Sequence, residues 1–65
     1  MAVKSRLKVI LVERRIKQYE LAERIGVSKH QINRICNGVN PELETALKIA
    51  RELNMSIHDI WELEG

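Results

Sequence analysis

The stretch that decides the fold is QYELAERIGVSKHQINRICNG, residues 18–38. Apolar side chains recur at helical spacing on both sides of an interruption at Gly26. Glycine readily adopts the left-handed backbone that a sharp turn between two helices needs. Ser28 then provides an N-cap, and Gln31, three residues later, completes a Ser-x-x-Gln capping box. The pattern predicts two short helices, 18–25 and 29–37, arranged as a helix-turn-helix.

Three further helices are predicted around this pair. Apolar spacing indicates a first helix over 3–15, and Asn40 followed by Pro41 is a start signal for a fourth helix over 41–53. Its apolar stripe is read as Leu43, Ala46, Leu47, Ala50 and Leu53. Gly38 and Asn54 are expected to end helices in left-handed conformations, and a fifth helix is predicted over 57–63. No segment is read as alternating with a period of two residues. We therefore expect a compact all-α fold of five helices, one domain over residues 1–65, without a sheet.

Composition excludes several classes of protein. Sixty-five residues allow one small core, and no apolar run approaches the length of a membrane span or a secretory leader. The single cysteine, Cys36, forms no internal disulfide, which suits a reducing cytoplasm. His30, His58 and Cys36 lack zinc-site spacing, and no nucleophile–base pair or phosphate loop is present. We expect no enzyme activity, metal, cofactor, small-molecule ligand or membrane partner.

The charges divide the chain into two unlike halves. Residues 1–34 contain nine Lys and Arg against three acids, a net of +6, whereas residues 35–65 contain two against six, a net of −4. This asymmetry predicts that the first half meets a polyanion. An ordinary solvent-exposed helical surface is also rich in charge. Charge alone therefore does not show nucleic-acid binding, and the arrangement of the residues must distinguish the two interpretations.

One face of the third helix is polar and free of acids. At about 100° per residue, a single arc of about 140° carries five side chains, whereas Ile32 and Ile35 point to the opposite side. Basic and amide groups of this kind donate to base edges and to phosphates. The five are Lys29, His30, Asn33, Arg34 and Asn37.

These motifs together resemble the phage-repressor (Cro/CI, or Xre-type) family of helix-turn-helix proteins along nearly the whole chain. The resemblance rests on Gln18-x-x-Leu21-Ala22, Gly26-Val27-Ser28, Ile32-x-Arg34-Ile35-x-Asn37-Gly38 and Asp59-Ile60-Trp61, with further matches in the first and fourth helices. It implies a lambda-repressor-like five-helix fold. It also implies a cytoplasmic, sequence-specific regulator of transcription from a bacterium, phage or prophage, expected to be a repressor that binds double-stranded operator DNA as a homodimer.

The resemblance also implies roles for individual residues. Base readers are expected at Lys29, His30, Asn33 and Arg34. DNA-backbone contacts are expected at Gln18, Ser28, Asn37 and Arg6, with Lys8 as a further candidate. Lys17, which departs from the family pattern, is expected to add a phosphate contact of its own. Gln31 is expected to face away from DNA and to serve the cap.

Two positions depart from the family pattern. The family commonly pairs an Arg in the first helix with a Glu before Asn-Gly, and those positions hold Leu11 and Cys36. An apolar pair there avoids the desolvation of two charges. Lys17 occupies the position of the usual Ser or Thr N-cap of the second helix, and the lost cap is expected to cost about 1 kcal/mol.

The C-terminal end is the predicted dimer interface, because its apolar residues exceed what a short terminal helix can bury. The candidates are Ile57, Ile60, Trp61 and Leu63. An alternative function on the same fold is a protein-interaction module, such as an antirepressor or an antitoxin-like subunit. Such a module would not need an acid-free polar face on the third helix.

Overall fold

A computed structural model describes residues 2–64 as five helices and one two-stranded antiparallel sheet. In chain order the elements are β1 (Ala2–Ser5), α1 (Leu7–Glu13), α2 (Gln18–Ile25), α3 (Lys29–Cys36), α4 (Leu43–Leu53), α5 (Ile57–Ile60) and β2 (Trp61–Glu64). The five predicted helices are confirmed, but the expectation of a fold without a sheet is wrong. Over this described range, the helices all fall short of the length and apolar character needed to cross a membrane.

The sheet joins the two ends of the described chain. Val3 pairs with Leu63 and Ser5 pairs with Trp61, and the backbone N–H of Arg6 donates to the carbonyl of Ile60 at 2.8 Å. The helix predicted over 3–15 therefore begins only at Leu7, and the one predicted over 57–63 ends at Ile60. The segment Trp-Glu-Leu-Glu does alternate, but four residues also fit a helical turn. Pairing with β1 favours the extended conformation of residues 61–64, because it satisfies the backbone N–H and C=O groups of both strands.

A left-handed residue follows each of the first four helices. The four are Arg15, Gly26, Gly38 and Asn54, with φ values of 57°, 77°, 103° and 55°. The next residue in each case donates its N–H to the carbonyl five positions earlier, as Val27 does to Ala22 at 3.0 Å. This is the long bond of a Schellman motif. Three of these terminators are predicted from sequence, and Arg15 is not, because arginine rarely adopts this conformation.

The fourth helix begins two residues later than predicted. The first helical bond runs from Ala46 N–H to the Glu42 carbonyl at 2.9 Å, and Glu42 has the extended conformation of an N-cap. Asn40 and Pro41 therefore belong to the loop between α3 and α4. The fixed φ of proline is compatible with this extended approach as well as with a first helical turn, so the start signal is ambiguous.

All five helices and β2 contribute to one core. Its fully buried large side chains are Leu7, Leu21, Ile32, Ile35, Ile49, Leu53 and Ile60. In α4 the buried apolar stripe is Ala46, Ile49, Ala50 and Leu53, and Thr45 is buried beside it. The predicted stripe is thus partly wrong, because Leu43 and Leu47 are 72% and 52% exposed.

Replacing Ile49 by Ala tests the position of the core in α4. We expect Ile49→Ala to lower the free energy of unfolding by about 2–5 kcal/mol, since it removes buried methyl groups and leaves a cavity. The matched variant Leu47→Ala, on the same helix, is expected to change it by less than about 0.5 kcal/mol. Urea denaturation followed by circular dichroism measures both. Equal losses for the two variants would contradict the assigned rotation of α4.

Candidate nucleic-acid interface

The rotation of α3 is set by its two isoleucines. Ile32 and Ile35 are 0% and 1% exposed, so the opposite side of the helix faces solvent. The polar residues on that side are all exposed: Lys29, His30, Asn33, Arg34 and Asn37. They are called the reading face below.

The start of α3 is anchored at two points. Ser28 Oγ accepts a hydrogen bond from the backbone N–H of Gln31 at 3.1 Å, so the predicted cap is present. The other half of the predicted capping box is wrong, because Gln31 Nε2 donates to Thr45 Oγ1 at 3.4 Å. Thr45 is buried in α4, and this bond gives its hydroxyl a partner. Gln31 therefore ties α3 to α4 and lies away from the reading face.

Three side-chain amides form a continuous hydrogen-bonded chain across the reading face. Asn37 Nδ2 donates to Asn33 Oδ1 at 3.1 Å, and Asn33 Nδ2 donates to Gln18 Oε1 at 3.1 Å. Asn33 and Asn37 are one turn apart on α3, and Gln18 is the first residue of α2. We call Gln18, Asn33 and Asn37 the amide chain. The spacing of four residues between Asn33 and Asn37 suggests the bond between them. The bond between Asn33 and Gln18 depends on the angle at which α2 and α3 cross, and that angle cannot be read from sequence spacing.

The start of α2 carries positive charge beside Gln18. Lys17 occupies the N-cap position, and its backbone N–H donates to Glu20 Oε1 at 3.1 Å. A lysine ammonium has no acceptor atom, so the usual cap to the third backbone N–H is missing. The Lys17 ammonium instead lies 5.8 Å from the centre of the Tyr19 ring, within cation–π range. Lys17 is exposed, and it directly precedes Gln18 in the chain.

The two remaining basic candidates lie at the beginning of α1. Arg6 is exposed at the junction of β1 and α1. Burial raises the pKa of the Cys36 thiol, and the positive charge of Lys8 opposes this with a smaller downward effect, so the net shift is upward. Leu11 is buried and Cys36 packs against the same core as a neutral thiol, which agrees with the apolar replacement of an ion pair.

The basic side chains of the reading face are not neutralised within the part of the chain that the structure describes. The ion pairs there are Arg24 with Glu52 at 3.8 Å and Lys48 with Glu44 at 4.0 Å. Both involve α4, on the acidic half of the sequence. Lys29 and Arg34 thus keep their charges available for an anionic partner.

A shallow groove of about 380 Å³ adjoins the reading face. His30 and Arg34 form one wall, and the loop residues Asn40 and Pro41 form another. Glu42 also lines the groove. The α3–α4 loop therefore borders the surface that α3 presents.

An exposed apolar surface lies on the other side of that loop. Two grooves of about 270 and 530 Å³ share Val3, Ile57 and Trp61 as lining residues. Leu43 stands at one end of this surface and Leu63 at the other, and Leu63 is 69% exposed.

The predicted dimer residues divide into two classes. Ile60 and Trp61 are only 0% and 6% exposed and belong to the core, although Trp61 also lines both apolar grooves. Ile57 is half-buried and Leu63 is exposed, so these two remain candidates. Leu43 is a further candidate, although its helical spacing predicts a place in the core.

Among residues 2–64, no group of three or more His, Cys, Asp and Glu side chains is placed to hold a metal ion. The chemistry that the reading face offers is hydrogen-bond donation and positive charge.

Comparison with known proteins identifies the arrangement. Residues 6–65 match the family described as the Cro/C1-type HTH DNA-binding domain, which covers the helix-turn-helix and all five helices. The chain belongs to the Cro/C1-type helix-turn-helix family. A relative from Archaeoglobus fulgidus, described as an uncharacterized HTH-type transcriptional regulator, is 38% identical over 60 residues, which cover 91% of this chain and 84% of the relative.

Two crystal structures share the Cro/C1-type fold of this chain. A protein from Bacteroides fragilis, provisionally described as DNA-binding, superimposes with a TM-score of 0.83 at 31% identity, covering 92% of this chain and 98% of that one. The transcriptional regulator VanUg has a TM-score of 0.78 at 34% identity, covering 94% and 83%. The Cro/C1-type domain is thus a DNA-binding module of transcriptional regulators, which is not an enzyme class, and its partner is double-stranded DNA.

The stability effect of the missing N-cap of α2 can be tested by replacing Lys17 with a capping residue. We expect Lys17→Ser to raise the free energy of unfolding of the DNA-free protein by about 1 kcal/mol, because Lys17 already has the extended backbone of an N-cap. Ser28→Ala is the matched opposite change, expected to lower it by about 1 kcal/mol through loss of the cap of α3. Chemical denaturation of the three proteins measures both effects. A less stable Lys17→Ser protein would contradict this account.

Proposed function

We propose that this protein is a sequence-specific DNA-binding regulator that represses transcription by occupying a pseudo-palindromic operator as a homodimer. The observation that carries the proposal is the reading face, whose exposed side chains include no acid and retain their positive charges. Repression requires only that the operator be covered, and a DNA-binding face together with a self-association surface is sufficient for that. A cytoplasmic location accompanies this function.

Base reading is proposed for Lys29, His30 and Arg34. All three are exposed on α3, and Lys29 and His30 occupy its first turn. The first turn of a recognition helix commonly reaches the base edges in the major groove. Lysine and arginine donate to guanine O6 and N7, and imidazole can donate to similar acceptors. Asn33 lies on the same face, but both ends of its amide are already bonded.

Contacts to the DNA backbone are proposed for residues around the edges of the reading face. Gln18 is the first residue of α2, where the helix dipole and free N–H groups favour a phosphate. Ser28 uses its oxygen as a cap acceptor, so its hydroxyl hydrogen remains for donation. Asn37, Lys17 and Arg6 are exposed and complete the proposed set.

Separate variants should distinguish base reading from backbone contact. We expect Lys29→Ala to change the preferred base at one or two operator positions, with a loss of about 1–3 kcal/mol for the preferred sequence. Lys17→Ala should leave the preference intact and reduce the log–log salt slope by about 0.9, the value for one phosphate on duplex DNA. Selection from random DNA, followed by titrations at several salt concentrations, gives both quantities.

Two outcomes would contradict the proposed function. One is that the unaltered protein enriches no sequence and has a salt slope near zero. The other is that it elutes from heparin at low salt and instead binds a protein partner, as an interaction module would. Glu23→Ala serves as the control, since it removes an exposed charge of α2 outside the reading face.

The apolar surface is proposed as the dimer contact. It contains Leu43, Val3, Ile57 and Leu63, and a second copy is the occupant that a palindromic site would bring to it. Asn40 and Pro41 line both the groove beside α3 and the nearer apolar groove, so the two surfaces are neighbours. A partner seated there would place a second α3 nearby, as half-sites about one helical turn apart require.

A charged residue on the apolar surface should prevent this association. We expect Leu63→Glu and Leu43→Glu each to give a folded monomer whose operator binding is much weaker. Val12→Glu is the matched control, because Val12 is also exposed, at 71%, but lies on α1 outside this surface. Sedimentation velocity with and without operator DNA measures the assembly. A dimer that survives both leucine substitutions, or one protomer per operator in the unaltered protein, would contradict the assignment.

A further inference from the structure

We propose that Asn33 is a positioning residue that couples two DNA-backbone contacts, Gln18 and Asn37, and is not a base reader. The inference rests on the proposed function and on one observation within it, the amide chain. Asn33 is the central member and bonds to both of the others at 3.1 Å. The place of Asn33 on the reading face predicts a base reader, whereas its hydrogen bonds to Gln18 and Asn37 indicate a positioning role.

The chemistry of adenine recognition explains why these bonds matter. An asparagine that reads adenine in bidentate fashion uses its carbonyl oxygen and its amino group together. In Asn33 the Oδ1 atom already accepts from Asn37, and the Nδ2 atom already donates to Gln18. Each atom has capacity for one more bond, but the two existing bonds hold the amide plane in the orientation that suits its neighbours. Reading a base would therefore have to take place within the plane that these two bonds fix.

At the Gln18 end, the direction of donation along the amide chain suits an anionic partner. Donation runs from Asn37 to Asn33 and from Asn33 to Gln18, so Gln18 is bonded through its oxygen. Its Nε2 amino group is therefore the end that can donate outward. A phosphate only accepts hydrogen bonds, so it is matched by the amino group and repelled by the oxygen. Without Asn33, the Gln18 amide could rotate and present either end.

The amide chain also links two distant parts of the proposed DNA contact. Gln18 opens α2, and Asn37 follows the last residue of α3, next to the left-handed Gly38. Asn33 spans the gap between them, so the two backbone contacts are ordered relative to each other before DNA arrives. Side chains that are ordered beforehand lose less conformational freedom on binding. Removing Asn33 should therefore weaken the contacts at both ends.

Binding experiments test this role with single and double variants. We expect Asn33→Ala to weaken binding about fivefold to tenfold, by the same factor for the selected operator and for operators with one changed base. Asn33→Ala combined with Gln18→Ala should lose less affinity than the product of the two single losses, since Gln18 depends on Asn33. Lys29→Ala combined with Asn37→Ala is the control pair, because Lys29 is outside the amide chain, and its losses should multiply.

The free protein provides a second test that does not involve DNA. We expect Asn33→Ala to shift the side-chain amide signals of both Gln18 and Asn37 in nitrogen–proton correlation spectra, whereas the neighbouring change His30→Ala leaves them in place. Unchanged Gln18 and Asn37 signals in Asn33→Ala would overturn the inference. A changed base preference for Asn33→Ala, or losses that multiply with Gln18→Ala, would overturn it as well. If the unaltered protein selected no DNA sequence, the proposed function itself would fail.

Discussion

The burial of Ile32 and Ile35 is the constraint on which the rest of the interface depends. These two side chains are three positions apart on α3, and together they allow only one rotation of the helix against the core. Turning the helix by one residue, about 100°, would expose an isoleucine and bury a charged or amide side chain without a partner. The positions of Lys29 and Arg34 in solvent are therefore consequences of core packing. The bond from Gln31 to Thr45 holds the same rotation from the side of α4.

Residues that share one helical face need not share one role. Lys29 has a free ammonium group at the beginning of α3, whereas Asn33 is bonded on both sides four residues later. Exposure alone does not separate them, since both are exposed. Existing hydrogen bonds do separate them, because an amide whose plane is held by two partners is less free to turn toward a base. The surface is thus better described by its unused donors than by its polar residues.

The features predicted correctly from sequence are those encoded within a few residues. Gly26, Gly38 and Asn54 end helices through their own backbone preferences, and Ser28 caps α3 through an oxygen three positions from its donor. The features missed depend on segments far apart in the chain. Residues 2–5 become a strand only because residues 61–64 lie beside them, and Leu43 is exposed because nothing in the described chain covers it. The bond between Gln18 and Asn33 belongs to the same class, as it joins two helices.

The sheet has a consequence for the topology of residues 2–64. Because Ala2 lies opposite Glu64, the folded backbone between them is nearly a closed ring. The free chain must therefore lose the entropy of closing a loop of about 60 residues whenever it folds. A covalent join across this edge would remove that loss, which the chain-entropy relation puts at about 4 kcal/mol. Domains of this kind have a total stability of only about 5–15 kcal/mol, so cyclisation through the sheet would change the stability of this fold by a large fraction. New chain ends could then be created by cutting the cyclic backbone at a surface turn far from the reading face.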